Sequence, residues 1–270
     1  MSVYQVQNQW GGTSAPWHTG NTWILGGRAD QAVVAVNINS KDHGDTFTGD
    51  MTYEGEGPIS VKASHAFANV YDVEVQWGGS TAPWHNDGQW IIGGRDSQRA
   101  VNVNVKADGD NNLSGEMTYL GEGPIGFKGA ITPGYTVENQ WGGTSAPWHP
   151  GGTWALSGRS NQDVIAMDIN SSDNGKSFTG TMQYKGEGPI GFRGILAEGN
   201  NYEVSNQWGG STAPWHRGGN MIIGCRNNQN VIKLSFTSKS GEMLSGEMTY
   251  SGEGPIGFKA QLATAGVAAS

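Results

Sequence analysis

Two kinds of segment alternate along this chain. In one, apolar and polar residues take turns: Gln31 to Asn39 reads QAVVAVNIN, and Phe47 to Tyr53 reads FTGDMTY. A period of two sends successive side chains to opposite faces, so each such segment predicts a half-buried β-strand. In the other kind, glycine pairs and Asn/Asp clusters break the alternation and predict turns. No run of ten or more residues carries an apolar period of 3.6, so no helix is expected. No run reaches the roughly 20 apolar residues of a membrane-crossing helix either. The expected class is all-β.

The pattern repeats four times. Trp-Gly-Gly begins at Trp10, Trp77, Trp141 and Trp208, and each frame ends in Ala-Pro-Trp-His at His18, His85, His149 and His216. An Arg follows each of these Trp by 18 residues: Arg28, Arg95, Arg159 and Arg226. Gly-Glu-Gly-Pro-Ile then places Glu56, Glu122, Glu187 and Glu253. The Arg-to-Glu distance varies by one residue, through polar stretches near Asp42 and Asp108 that read as hairpin tips. The copies group two and two. Copies one and three read WGGTSAPWH, copies two and four WGGSTAPWH. The distance from the GEGP proline to the next repeat's Trp is 19, 17 and 19 residues, and the short junction holds Thr132-Pro133-Gly134. A two-repeat unit is therefore duplicated: residues 1–133 (repeats 1–67 and 68–133) and 134–270 (repeats 134–199 and 200–270), with a boundary near Pro133. About five strands per repeat are too few to close a sheet, whereas ten per pair can form a barrel without exposed edges.

Composition sharpens this picture. Glycine supplies 44 of 270 residues, roughly twice the usual share. Eleven Trp, 8 Tyr and 7 Phe argue against disorder and for a folded, turn-rich protein. The net charge of −8 opposes nucleic acid and anionic membranes as partners, since both call for a basic face. Cys225 is the single cysteine, so no intramolecular disulfide can form. No signal peptide is readable near Met1, and synthesis in the cytoplasm is expected.

The repeated polar residues carry the candidate chemistry. Trp23 and Trp17, with their counterparts, can supply a core. The Trp of WGG instead sits beside two residues without side chains. A ligand can approach the backbone there, and an aromatic face next to bare amides suits a sugar ring. Arg offers a fork of donors and Glu offers acceptors only, so together they can grip adjacent hydroxyls. A structural Arg–Glu ion pair is the compatible alternative. The histidines lie one per repeat with no recurring Cys or second His, which reads as packing or hydrogen bonding; no metal and no cofactor are expected. GEGPIGF lacks the spacing of a nucleotide loop.

Two rival classes remain, an enzyme acting on sugars and a structural repeat protein. Glycoside hydrolysis usually takes two carboxylates. Here the Glu of GEGP is the only acid present in every copy, Asp50 becoming Glu116, Thr181 and Glu247. No recurring nucleophile–base set exists. A protein-docking surface would carry large apolar anchors where these loops carry glycine. Four copies of one weak site favour multivalent binding over catalysis.

The motifs NQWGG at Asn8 to Gly12, the APWH turn, the Gly-Arg pair and GEGPIGF at Gly121 to Phe127 resemble the high-mannose-binding lectins typified by the Oscillatoria agardhii agglutinin. The match spans nearly the whole chain. The resemblance implies that each pair of repeats closes into one ten-stranded antiparallel barrel, giving two tandem barrels with a site at each end. It implies that each site joins WGG of one repeat to Arg and Glu-Gly of its partner. Trp10, Gly11 and Gly12 would then meet Arg95, Glu122 and Gly123, while Trp77, Gly78 and Gly79 would meet Arg28, Glu56 and Gly57. Trp141, Gly142 and Gly143 would meet Arg226, Glu253 and Gly254, and Trp208, Gly209 and Gly210 would meet Arg159, Glu187 and Gly188. The implied ligand is the branched mannose core of high-mannose N-glycans, hence agglutination and binding to viral envelope glycoproteins. A metal-free monomer is expected. Three departures stand out: Met221 where the other copies have Trp23, Trp90 and Trp154; Cys225 where they have Gly27, Gly94 and Gly158; and Ser60-Val61 in place of Gly-Phe.

Overall fold

The computed structural model describes residues 2–262, except 29, 30, 96, 110, 111, 133, 160, 161 and 227. Pro133, where the boundary is expected, lies outside the described residues. These residues form two compact units, the first ending at Ile131 and the second starting at Thr132. Among them are twenty strands and no helix, five strands to each repeat.

In the first unit the strands are β1 (Val3–Gln9), β2 (His18–Ile24), β3 (Val33–Asn39), β4 (Thr46–Tyr53), β5 (Ile59–Phe67), β6 (Val70–Gln76), β7 (His85–Ile91), β8 (Ala100–Ala107), β9 (Leu113–Tyr119) and β10 (Ile125–Thr132). They close into a barrel in the order β1-β10-β9-β8-β3-β4-β5-β6-β7-β2. The second unit has β11 (Tyr135–Gln140), β12 (His149–Trp154), β13 (Val164–Asn170), β14 (Ser177–Tyr184), β15 (Ile190–Glu198), β16 (Asn201–Gln207), β17 (His216–Ile222), β18 (Val231–Thr237), β19 (Met243–Tyr250) and β20 (Ile256–Leu262). Its ten-stranded sheet runs β12-β11-β20-β19-β18-β13-β14-β15-β16-β17. Just past β12, Ala155 exchanges two backbone hydrogen bonds with Ile222, at 3.1 and 2.9 Å.

The inward faces are those the alternation marks: Val36, Ile38, Phe47, Met51 and Tyr53 are buried in one core. The period is broken once in QAVVAV. The register of β3 on β4 shifts between Val33 and Ala35, a β-bulge that recurs at Ala100/Asn102, Val164/Ala166 and Val231/Lys233. The extra residue bends the strand and resets which side chains point inward. The glycine of Phe-Thr-Gly is fixed by packing, since a methyl on Gly49 would stand 2.1 Å from the Asn37 carbonyl oxygen.

Trp23, Trp90 and Trp154 are fully buried, and so is Met221 in the fourth copy. An unbranched thioether adapts to the space an indole fills elsewhere. Trp17, expected in the core, is only half-buried, and Lys128 lies over its ring at 4.5 Å. Trp84, Trp148 and Trp215 are capped in the same way by Lys62, Lys259 and Arg193. Trp17, Trp148 and Trp215 lie against Gly126, Gly257 and Gly191, which alternate with the buried Phe127, Phe258 and Phe192. These indoles therefore cover the outward face of the strand, where a cation can lie over the ring while keeping its charge in water.

Candidate functional site

Strand order decides which residues meet. β1 is hydrogen-bonded to β10, the last strand of the second repeat, and β6 to β5, the last strand of the first. The WGG turn leaves the end of β1, and the turn carrying Glu122 enters the start of β10. Because the two strands are antiparallel, both turns emerge at one end of the barrel. The register is explicit elsewhere: Ser60 pairs with Gln76, Gln140 with Gly257 and Gly191 with Gln207. Each WGG Trp therefore stands beside the Glu-Gly-Pro turn of the other repeat.

The side chains follow. The Arg95 guanidinium lies over the Trp10 ring, 5.6 Å from its centre, and Arg28 lies over Trp77 at 5.5 Å. Trp77 shares a cleft with Arg28, Glu56 and Gly57; Trp141 shares one with Arg226, Glu253 and Gly254; Trp208 shares one with Arg159, Glu187 and Gly188. These clefts measure about 510, 350 and 520 Å³, within the ~300–1,000 Å³ of small-ligand sites. Trp10, Trp77, Trp141 and Trp208 are 44–47% exposed, unlike the buried tryptophans one strand away. An indole left this far in water, four times over, is not serving a core.

Each Arg is held by three partners. Arg28 donates from Nη1 to Glu56 at 2.6 Å and to Gln31 at 2.6 Å, and its guanidinium covers the Tyr53 ring at 4.3 Å. The Gln31 amide in turn donates to Glu56 at 3.0 Å and to the Glu54 carbonyl at 2.9 Å. The same triad recurs as Arg95–Gln98–Glu122 over Tyr119, Arg159–Gln162–Glu187 over Tyr184, and Arg226–Gln229–Glu253 over Tyr250. So the ion pair forms within one repeat while the Trp comes from the other. Hydrogen bonds from Gln31 and Arg28 hold the Glu56 carboxyl below its ordinary range. Arg95 and then Gln98 do this for Glu122, and Arg159 and Gln162 for Glu187.

The glutamines and tyrosines were missed by the sequence reading. Their signal was present: Gln follows each Arg by three residues, and Tyr precedes each Glu by three, in all four copies.

The histidines have a specific task. His18, His85, His149 and His216 stack on Trp10, Trp77, Trp141 and Trp208, with ring centres 4.1–4.3 Å apart and planes within 19° of parallel. One face of each indole is thus covered, and a ligand is left the rest of the ring. The preceding glutamine fixes the loop: Gln9 donates to the carbonyls of Thr13 at 3.2 Å and Ala15 at 2.6 Å, and Gln76, Gln140 and Gln207 repeat the brace.

The glycines divide by cause. Gly11 and Gly12 have φ of 89° and 98°, a turn geometry that side chains resist. Gly123 has no such φ, and a methyl built on it would meet nothing within 4 Å. Gly57, Gly188 and Gly254 are likewise open. Nothing inside the protein demands glycine there, and the backbone at these positions is open to close approach.

The copies differ beneath the Arg. Asp87 occupies the position of Gly20, Gly151 and Gly218 and is only 6% exposed. It accepts from Tyr53 Oη at 2.9 Å, Gly27 N at 3.0 Å and Trp90 Nε1 at 3.1 Å, and burial pushes its carboxyl above the usual range. Cys225 fits because it faces Gly152, whose added Cβ would lie 2.6 Å from the Cys225 Cβ. Burial raises the Cys225 thiol, leaving it a weak nucleophile. No group of three or more potential metal ligands occurs among the described residues.

A family model described as the sugar-binding domain of OAA-family lectins matches residues 2–66, 69–132, 134–197 and 200–263. The lectin ESA-2 of Eucheuma serra is 58% identical over 95% of this chain and 97% of its own. The hemagglutinin of Myxococcus xanthus, solved in complex with α3,α6-mannopentaose, is 54% identical with a TM-score of 0.78, covering 96% of this chain and 99% of that one. The lectin OAA of Planktothrix agardhii is 59% identical over 126 residues, which is 46% of this chain and 96% of OAA.

Proposed function

This chain belongs to the OAA family of lectins, and on that footing we propose that each Trp–Arg–Glu cluster binds the branched mannose core of a high-mannose glycan. The observation that carries this reading is the exposed indole beside a braced Arg and a lone Glu, in an open cleft, repeated with one geometry. The sugar's C–H face lies on the free part of the Trp ring. Arg donates to hydroxyls and Glu accepts from them, with both held in place by Gln before the ligand arrives, so little ordering is left to binding. The WGG amides and the open Glu-Gly backbone complete the grip. No metal takes part.

The protein binds glycan and does not cleave it: hydrolysis usually takes a pair of carboxylates flanking the bond, whereas only one Glu recurs in the clusters. The further acid of the Arg28 cluster, Asp87, is buried and already hydrogen-bonded to Tyr53, Gly27 and Trp90. Four sites in one monomer cross-link glycoproteins and agglutinate cells, with avidity gains of order 10²–10⁴ when the geometry permits. Mannose-rich viral envelopes are a target class for the same reason. The module is the repeat pair, 1–133 and 134–270. A relative as long as one pair supports this division, and the Ala155–Ile222 bridge supports closure of the second sheet into a barrel like the first.

A glycan array read with and without EDTA tests ligand class and metal independence together. Binding confined to high-mannose structures and insensitive to EDTA is expected. New reducing ends after incubation with mannooligosaccharides would sink the non-enzymatic reading.

A further inference from the structure

Beside the Arg226–Glu253 pair lies a second cleft of about 520 Å³, lined by Asn174, Asn228, Gln229, Asn230 and Ser251. Every one of these side chains is neutral and capable of hydrogen bonding. Gln229 joins the cleft to the neighbouring cluster. Its carbonyl accepts from Arg226 at 2.5 Å, and its amide donates to Glu253 at 3.1 Å and to the Ser251 carbonyl at 2.7 Å. The far wall comes from the other repeat of the unit. Asn174 sits on the turn between β13 and β14 with a φ of 63°, a left-handed conformation that Asn tolerates better than most residues. Asn230 donates to its carbonyl at 3.1 Å, the Ser251 hydroxyl meets its carboxamide, and Gly175 next to it packs against Asn230. The wall is therefore docked in place.

The matched positions of the other clusters are built differently. Asn230 corresponds to Ala32, Arg99 and Asp163, and Ser251 to Glu54, Leu120 and Lys185. Beside the Arg95 cluster, Arg99 is ion-paired to Asp45 and Leu120 is exposed. A cleft of amides and a hydroxyl offers no counter-charge to an ion and no anchor to an apolar group. It does suit a neutral polyol, because an amide supplies donors and an acceptor together and each sugar hydroxyl can use either.

We propose that this cleft is a subsite for a further hexose of the same glycan, so that the Arg226 cluster reads a longer arm than the other three. The subsite rests on the reading of that cluster as a mannose site. Its ligand is a neutral hexose attached to the mannose core that lies on Trp141.

The test uses the full chain carrying Trp10→Ala, Trp77→Ala and Trp208→Ala, in which only the Trp141 cluster is left to bind and cross-linking cannot occur. Affinities for a branched trimannoside and for a nine-mannose glycan are read from the Trp141 indole resonance and by calorimetry. Asn230→Arg with Ser251→Leu installs side chains that the same fold already holds in repeat two. Asn228→Ala is a second, milder probe at an exposed position. Each should weaken the nine-mannose glycan about three- to tenfold, the effect of one or two lost neutral hydrogen bonds, and leave the trimannoside unchanged. An unchanged ratio between the two ligands overturns the subsite. A trimannoside that fails to move Trp141 in the parent chain overturns the cluster's mannose site, and the subsite with it.

Discussion

Gln98 stands between the two charges of its cluster: its amide donates to Glu122 at 3.0 Å while its carbonyl accepts from Arg95. A third bond, to the Leu120 carbonyl at 2.9 Å, ties it to the backbone. The glutamine therefore fixes where the Arg and the Glu point before any ligand arrives. Gln98→Ala should let the Glu122 carboxyl rise toward its ordinary value and weaken glycan at Trp10 several-fold, with little effect at Trp77. A carboxyl-detected NMR titration reads the first effect. Because Glu122 titrates low when folded, its contribution to stability and binding is complete above the ordinary Glu pKa of ~4.3 and is lost as pH falls through its depressed value. An unmoved Glu122 titration in the variant would show that Gln98 is a bystander.

Gly123 separates packing from recognition. A methyl there meets no protein atom within 4 Å and the backbone needs no positive φ. Gly123→Ala should leave thermal stability unchanged or raise it, by up to ~1 kcal/mol from reduced freedom of the unfolded chain. It should nevertheless abolish or sharply weaken binding at Trp10, since the methyl occupies the ligand's approach. Calorimetry gives the site count and a melting curve gives the stability. Wild-type binding at all four sites would mean that the recurring glycine has another cause.

Asp87 makes the Arg28 cluster unlike its siblings in its response to pH. Burial holds its carboxyl above the usual range, against the hydrogen bonds from Tyr53, Gly27 and Trp90; Arg28, which covers Tyr53, is the nearby cation. A carboxyl with a raised folded pKa binds protons more tightly in the folded state. Its presence therefore weighs least in acid, below ~3.9, and costs progressively more as pH climbs to the raised value. Asp87→Gly restores the residue of the other repeats, where Trp23 and Trp154 donate to the Gly20 and Gly151 carbonyls instead. The melting temperature of the wild type relative to this variant should fall as pH rises from 3 to 7. A flat or rising difference would contradict the assignment.

Much of this was legible in the residues, and the gaps have physical causes. The alternation in FTGDMTY marks a strand because burial on one face imposes it. The bulge in QAVVAV hides in the same kind of pattern, since one extra residue shifts the phase without changing composition. The 18-residue step from Trp10 to Arg28 is real but misleading about contacts. It measures distance along the chain, while the contact of Trp10 with Arg95 is set by β1 lying beside β10, a long-range pairing that no local spacing encodes. Gln98 was readable as a fourfold column, and only its uncharged side chain kept it from notice. Asp87 was hidden because it occurs once, in a column of glycines, and its depth depends on the closed sheet.

The shared cluster is tested most directly on the full chain with uniform ¹⁵N labelling, following the indole resonances of Trp10 and Trp77 during titration with α3,α6-mannopentaose. Arg95 loses its ion pair with Glu122 when changed to Ala, and one lost charged hydrogen bond costs ~1.5–3 kcal/mol, about tenfold to 150-fold in affinity. Arg95→Ala should therefore silence Trp10 at glycan concentrations that still shift Trp77 fully. If Trp77 falls silent instead and Trp10 keeps responding, each repeat builds its own site and the cross-repeat arrangement is wrong.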